Sequence, residues 1–424
     1  MTKKNLALPI ATMFALFFII AFVTGLQNPF GVMIKEQFVL SNLESQLGNF
    51  ANFIAYAFMG IPAGLLLQRV GYKMTAKIAV LVGFVGVLIT FLSSRLGNNP
   101  SVVFPIYLIG AFVSGFSMCM LNTVVNPMLN TLGSGGNKGN QLIQFGGACN
   151  SIGATIAPVL GGYLMGSSVE LTSAALALYI AMAIFVVAFV VLSTVDIPEP
   201  QVEKSSLSLK EGIVGPLSYR HFVLGIVAIF IYVGVEVGIP NIANLWMTQP
   251  IDNGGLELGK DVAGSVVGTY WFLMLVGRLI GASVASKISS RVMLTSVASV
   301  AMILVLLAIF LPSSTTVQMP VFKSDISFGM DIVPVNIMLL VLVGLCTSVM
   351  WGGIFNLAVE GLGKYTEAAS GIFMVMVCGG GVLPAVQGAI ADATSYTASY
   401  WLIIAGLAYM LFFALVGSRP AHKE

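Results

Sequence analysis

Charge is what this sequence has least of. Only 8% of its 424 residues are Asp, Glu, Lys or Arg, against about 25% in an ordinary soluble domain. With 57% apolar residues, its apolar runs are too many and too long for a soluble core. Histidine is nearly missing: His221 lies at the end of a run and His422 in the tail. No carboxylate pair lies at one depth either. A membrane enzyme would need such acids, or a nucleophile with its base, so the chain is not read as an enzyme. The four cysteines, Cys119, Cys149, Cys346 and Cys378, all sit in apolar segments. They have no metal-ligand spacing and no plausible pairing, and read as small buried hydrophobes. The net charge of +2 points to no partner, and no basic block marks nucleic acid. No long polar segment is left over for the output domain of a sensor.

What is present is a series of apolar runs. A bilayer core of ~30 Å needs about 20 helical residues. Windows of that length fall at 9–34, 47–68, 77–94, 102–132, 140–165 and 172–195, then at 221–247, 262–287, 291–311, 334–358, 367–391 and 396–417. The start, MTKKNLALPI, is basic like a signal peptide. The run after it is too long for a signal core and lacks a clear cleavage site, so it counts as the first span. The longest polar stretch, VDIPEPQVEKSSLSLKEGIVGPLSYRH, parts the runs six and six. The expectation is an all-α membrane protein of twelve transmembrane helices in two pseudo-symmetric six-helix bundles. The bundles are placed at 1–195 and 221–424, with a linker at 196–220.

Lys and Arg set the orientation. With the N-terminus in the cytoplasm, fourteen basic residues fall on that side and four (Lys35, Arg95, Lys260, Lys323) on the other. Both termini are therefore expected in the cytoplasm. Arg278 is the one basic residue inside a span, and Glu236 the one acid placed deep in one.

The apolar runs also share a rhythm. Span 1 carries Asn28 and Pro29, span 4 Asn126 and Pro127, and span 7 Pro240 and Asn241. Span 10 carries Gly352 and Gly353, then Asn356. Each opens a group of three helices. Pro and Gly are common kinks in membrane helices, but interrupted helices in register point to the central site of a transporter.

The loop after span 2, GLLLQRVGYK, resembles motif A of the major facilitator superfamily. Gly64, Arg69, Gly71 and Lys73 match, while Gln68 replaces the acid. In the family this motif acts on the conformational balance through charge contacts at the cytoplasmic face. Losing the acid puts its usual ion pair in doubt. GATIAPVLGG in span 5 is similar to motif C and reads as close helix packing by small residues. Within the superfamily the chain resembles the fucose–galactose–gluconate sugar symporters nearly end to end. The resemblance is carried by TGLQNPFGVMIKEQFVLSN, NTVVNPMLNTLG, CNSIGA, YVGVEVG and IFNLAVEGLGKYTEAASGIFMVMVCGGGVLPAVQG. The glucose/galactose branch is nearer than the fucose branch.

A buried sugar needs paired donors and acceptors for its hydroxyls and an aromatic platform for its apolar face. Side-chain amides offer both donors and acceptors. The candidates are Gln27, Asn28, Asn122, Asn126, Gln144, Asn150, Asn241, Asn244, Asn356 and Gln387, though each could equally be interhelical glue. The resemblance puts Trp351 at an aromatic sugar contact and Asn150 at a pocket amide. Trp271 and Tyr270 are weaker aromatic candidates. The resemblance also puts Asn28 and Asn122 where fucose symporters carry their coupling Asp and Glu. An asparagine cannot take up a proton near neutral pH.

That leaves Glu236 as the coupling residue, since an ionisable group deep in a span is a functional candidate by default. A desolvated carboxyl suits a proton carrier, and a carboxylate among amide oxygens suits Na⁺. A structural ion pair with Arg278 and a carboxyl simply held by hydrogen bonds are the competing readings. At 1.5 Å per residue Glu236 and Arg278 differ in depth by ~9 Å, which is large for direct contact. Arg278, with Arg69, Gly71 and Lys73, is assigned to gating. The expected protein is a hexose importer (glucose, galactose or mannose-like) working by alternating access, coupled to Na⁺ or H⁺. It needs no other cofactor or metal. A monomer in the inner membrane of a bacterium is expected. The alternatives are an L-fucose, small-oligosaccharide or nucleoside transporter, or an uncoupled facilitator.

Overall fold

The computed structural model describes residues 6–133, 136–165, 170–199, 209–284, 288–362 and 365–419. The side chains of Gln68 and Gln144 lie outside the described set, as does linker segment 200–208.

Eleven helices among these residues are long and apolar enough to cross a membrane. The 30-residue helix Gly136–Met165 supplies the twelfth crossing. Span 1 is Ala7–Gly25 followed by Gln27–Phe38. Spans 2 and 3 form one run, Leu47–Ser93, kinked at Gly71. Spans 4 to 6 are Pro100–Leu132, Gly136–Met165 and Ala175–Thr194. Spans 7 to 9 are Arg220–Thr248, Lys260–Val284 and Ser290–Phe310. Span 10 is Val335–Thr347 with Met350–Val359, and span 11 is Thr366–Met376 with Gly379–Ala393. Span 12 begins with Tyr396–Phe412. An even number of crossings returns the chain to the face it started from. That face is called the terminal face here, and the opposite one the distal face.

The expected interruptions are only half present. Spans 1 and 10 do break, at Leu26 and at Ser348 with Val349. Spans 4 and 7 stay helical through Pro127 and Pro240, because a proline costs its helix one hydrogen bond and the freed carbonyl can find another donor. In span 7 that carbonyl is Glu236 O, and the Tyr270 hydroxyl donates to it at 3.1 Å. Span 11 breaks between Met376 and Gly379, which the repeat did not predict.

Small residues let the helices close on one another. A Cβ on Gly153 would lie 2.4 Å from Phe18 O, and one on Gly25 would lie 2.8 Å from Ala157 Cβ. The motif-C-like stretch in span 5 thus packs flush against span 1. Cys119, Cys346 and Cys378 are buried, Cys149 is half-buried, and all four are free thiols.

Between spans 9 and 10 the chain forms a hairpin that the apolar windows did not resolve. Its strands are β1 (Thr316–Phe322) and β2 (Phe328–Pro334), antiparallel with Met319 opposite Asp331. Phe322 N–H donates to Thr269 Oγ1 at 2.9 Å, which fastens the hairpin to span 8. Phe272 packs against both Phe322 and Phe328, at 5.9 and 5.0 Å between ring centroids.

Candidate functional site

The first helix of each half meets the other through amides. Asn28 Nδ2 donates to Asn241 Oδ1 at 2.7 Å, and Asn244 Nδ2 donates back to Asn28 Oδ1. Asn241 Nδ2 donates to Gln46 Oε1 at 3.1 Å. Four amides therefore satisfy one another where spans 1, 2 and 7 converge, as buried polar groups must. Gln46 was not among the sequence candidates, although it sits just before span 2.

Further bonds join the halves toward the distal face. Lys260 Nζ pairs with Glu36 Oε2 at 2.6 Å. Asp392, at the end of span 11, accepts from Asn42 N–H at 2.7 Å and from Leu43 N–H at 2.8 Å. Tyr396 donates to Asn42 Oδ1 at 2.8 Å. Asn42 and Leu43 begin a short helix, Asn42–Ser45, whose N-terminus is closed by a capping box of Ser41 and Glu44. A carboxylate is well placed at such exposed N–H groups.

The second cluster lies deeper and contains both intramembrane charges. Arg278 Nη2 is 3.7 Å from Glu236 Oε1. The depth count from sequence argued against this contact, and the structure corrects it. Side chains on a helix lean toward its N-terminus. Spans 7 and 8 run in opposite directions, so Glu236 and Arg278 lean toward each other and cover the gap. Their side chains are 12% and 20% exposed. Arg278 Nη1 also reaches the first half, donating to Gly147 O at 2.8 Å and to Ser151 Oγ at 2.7 Å. The Tyr232 hydroxyl bridges Glu236 Oε1 at 3.0 Å and Thr347 O at 3.1 Å. The Tyr232 ring stands edge-on to Trp351, with centroids 6.3 Å apart. Trp351 is half-buried in the first turn after the span-10 break.

The other candidates divide. Asn122 Nδ2 donates to Tyr56 Oη at 2.9 Å, and Asn126 Nδ2 donates to Asn122 O one turn back at 3.1 Å. Both are half-buried. Asn150 Nδ2 donates to Phe17 O at 3.1 Å, and joins span 5 to span 1. Gln27 accepts from Tyr107 at 2.9 Å and is buried. Gln387 is fully buried, with Nε2 3.4 Å from Ser399 Oγ on span 12 and Oε1 turned to Gly238 of span 7. Asn356 is exposed, five residues beyond Trp351 toward the terminal face. Tyr270 serves the Glu236 cluster through its hydroxyl, while Trp271 stacks edge-on against it at 5.2 Å.

At the terminal face the motif-A-like loop has a carboxylate after all. Gly71 has φ +81°, a turn that glycine makes without strain. Just beyond it, Glu199 Oε2 accepts from Tyr72 N–H at 2.8 Å and Oε1 from Lys73 N–H at 2.9 Å. Lys73 Nζ donates to Val195 O at 2.6 Å, and Arg69 is exposed. The acid missing at Gln68 is supplied from beyond span 6, and it caps the start of span 3.

Residues 13–385 match the model of the Major Facilitator Superfamily. The chain is 30% identical to the glucose/galactose transporter of Brucella abortus biovar 1, over 99% of this chain and 96% of that protein. It is 23% identical to the L-fucose-proton symporter of Escherichia coli strain K12, over 99% of this chain and 95% of that protein. The crystal structure of the E. coli fucose:proton symporter superimposes with a TM-score of 0.68, covering 97% of this chain and 98% of that one at 19% identity. That last likeness concerns the fold.

Proposed function

The chain belongs to the major facilitator superfamily, and we propose that it imports a hexose-type sugar by alternating access. The carrying observation is the meeting of spans 1 and 7 through Asn28, Asn241 and Asn244, beside the cluster of Glu236, Tyr232 and Trp351. Amides that satisfy one another offer a sugar the same donors and acceptors when they part. The indole supplies a platform for the apolar ring face. The end-to-end likeness to glucose/galactose transporters favours glucose or galactose as the substrate.

The terminal face is taken as the cytoplasmic one, in a multi-pass protein of the bacterial inner membrane. On that reading the distal bonds of Asp392, Lys260 and Tyr396 close the outer side. Rocking the halves about the midplane site opens the other side. Coupling runs through Glu236, which sits between a tyrosine of its own helix and Arg278.

Uptake into proteoliposomes tests this. Labelled glucose, galactose, mannose and fucose are supplied with a pH gradient or a Na⁺ gradient alone. Uptake of at least one hexose is expected, and accumulation under one of the gradients. Transport of none would sink the substrate assignment. Accumulation that survives Glu236→Gln would place the coupling elsewhere, and sugar affinity unchanged in Trp351→Ala would refute the platform.

A further inference from the structure

The Tyr232 hydroxyl has one proton and two acceptors. Glu236 Oε1 lies 3.0 Å away and Thr347 O lies 3.1 Å away. Both contacts are hydrogen bonds at once only when Glu236 itself carries a proton and donates it to the phenol oxygen. When Glu236 is ionised, the phenol proton goes to the carboxylate, the stronger acceptor. The Thr347 carbonyl then loses a partner.

That carbonyl closes the first segment of span 10. Thr347 is its last residue before the break at Ser348 and Val349, and Trp351 lies in the next turn. The Tyr232 ring packs edge-on to Trp351. One side chain thus touches the carboxyl, the hinge of span 10 and the aromatic platform.

The groups around Glu236 leave this choice to Tyr232. From span 8, Arg278 stands 3.7 Å from Oε1, but its Nη1 is committed to Gly147 and Ser151. Tyr270, also on span 8, spends its proton on the Glu236 backbone carbonyl, which Pro240 leaves without a helical donor. From span 10, Thr347 and Cys346 face the same space, and the Thr347 hydroxyl lies 3.2 Å from Tyr270 Oη. From span 12, Tyr400 donates to Ile239 O at 3.0 Å. On span 11, Gln387 turns to Ser399.

We propose that Tyr232 is a positioning residue that passes the protonation of Glu236 to the sugar platform. A proton from water adds to Glu236 Oε1, and Tyr232 turns its own proton from that oxygen to Thr347 O. The turn ties the span-10 break to span 7 and holds Trp351 in place for the sugar. Loss of the proton to water reverses each step, and no other bond changes. The inference rests on the hexose reading above and names H⁺ as the coupling ion.

The test is sugar binding by the full-length protein in lipid nanodiscs. Titration calorimetry with D-glucose and with D-galactose is run from mildly acidic to mildly alkaline buffer. Wild-type affinity is expected to weaken with rising pH by about fivefold, the worth of one hydrogen bond. Tyr232→Phe keeps the ring against Trp351 and is expected to bind with no pH slope. Glu236→Gln should lose the slope as well. A purely structural tyrosine would lower the melting temperature of Tyr232→Phe and leave the slope intact, which would overturn the proposal. Wild-type binding with no slope would overturn it too, while leaving the sugar reading standing. Binding of neither sugar at any pH would defeat both.

Discussion

Asn49 of span 2 donates to the backbone carbonyl of Gly380 in span 11 at 2.8 Å. Pro384 stands four residues beyond Gly380, so that carbonyl has no helical donor of its own. The first half of the protein therefore completes a helix of the second, with the distal end of span 2 reaching the middle of span 11. When the distal side opens, the bond must break, and a buried carbonyl is left to find water.

Asn49→Leu should remove this tie and shift the balance toward a distal-open state. An unsatisfied buried acceptor costs about 1–3 kcal/mol, so the midpoint of thermal unfolding should also fall. Spin labels at the distal ends of spans 2 and 11 read the shift as a longer distance. An unchanged distance distribution would mean that the bond follows closure without favouring it.

Gly379 lies where span 11 packs against the backbone of span 7. A Cβ there would lie 1.9 Å from Phe230 O, which is backbone and cannot step aside. Gly379→Ala should destabilise the second half by about 1–3 kcal/mol through overpacking. Yield of folded protein and melting temperature are the readouts. Gly352→Ala is the control, since a Cβ there meets nothing within 4 Å.

Glu199 replaces the acid lost from the motif-A-like loop. Its two bonds to the N-terminus of span 3 predict that Glu199→Gln weakens that end by about 0.3–1 kcal/mol. Hydrogen exchange at Tyr72 and Lys73 should quicken. Gln68→Asp, which restores the usual acid, should rescue the double variant if the loop simply needs a carboxylate there.

The Glu44 carboxylate is held below its ordinary range, first by the Ser41 backbone N–H and then by the Ser41 hydroxyl. A depressed folded-state value means that the capping box contributes above the unfolded-state value and is lost as pH falls through the folded one. Acidification should therefore loosen the short helix that Asp392 grips, seen as faster exchange at Ser41 and Glu44. Glu44→Gln should exchange fast at both ends of the titration.

The relation between Glu236 and Arg278 marks where reading the sequence stops. Composition alone identified both as the charges inside spans 7 and 8, because lipid tolerates so few. At 1.5 Å per residue the two lie ~9 Å apart in depth, because that spacing takes the helix ends as level and leaves out side-chain direction. Their contact depends on antiparallel spans whose side chains lean toward opposite faces, and on how far each helix is displaced along its neighbour.

The linear pattern of residues carries the twelve crossings, since each must bring about twenty apolar residues and no loop can hide inside lipid. It also determined the amides on spans 1 and 7 and the prolines that free carbonyls beside them. What those groups do depends on packing. Asn28 finds Asn241 and Asn244 more than two hundred residues away, and Tyr270 repairs the carbonyl that Pro240 orphans. Asn49 does the same for Pro384, and Glu199 replaces an acid missing from another loop. A hydrogen bond is satisfied by whichever partner packing brings within about 3 Å, and local composition does not encode that partner.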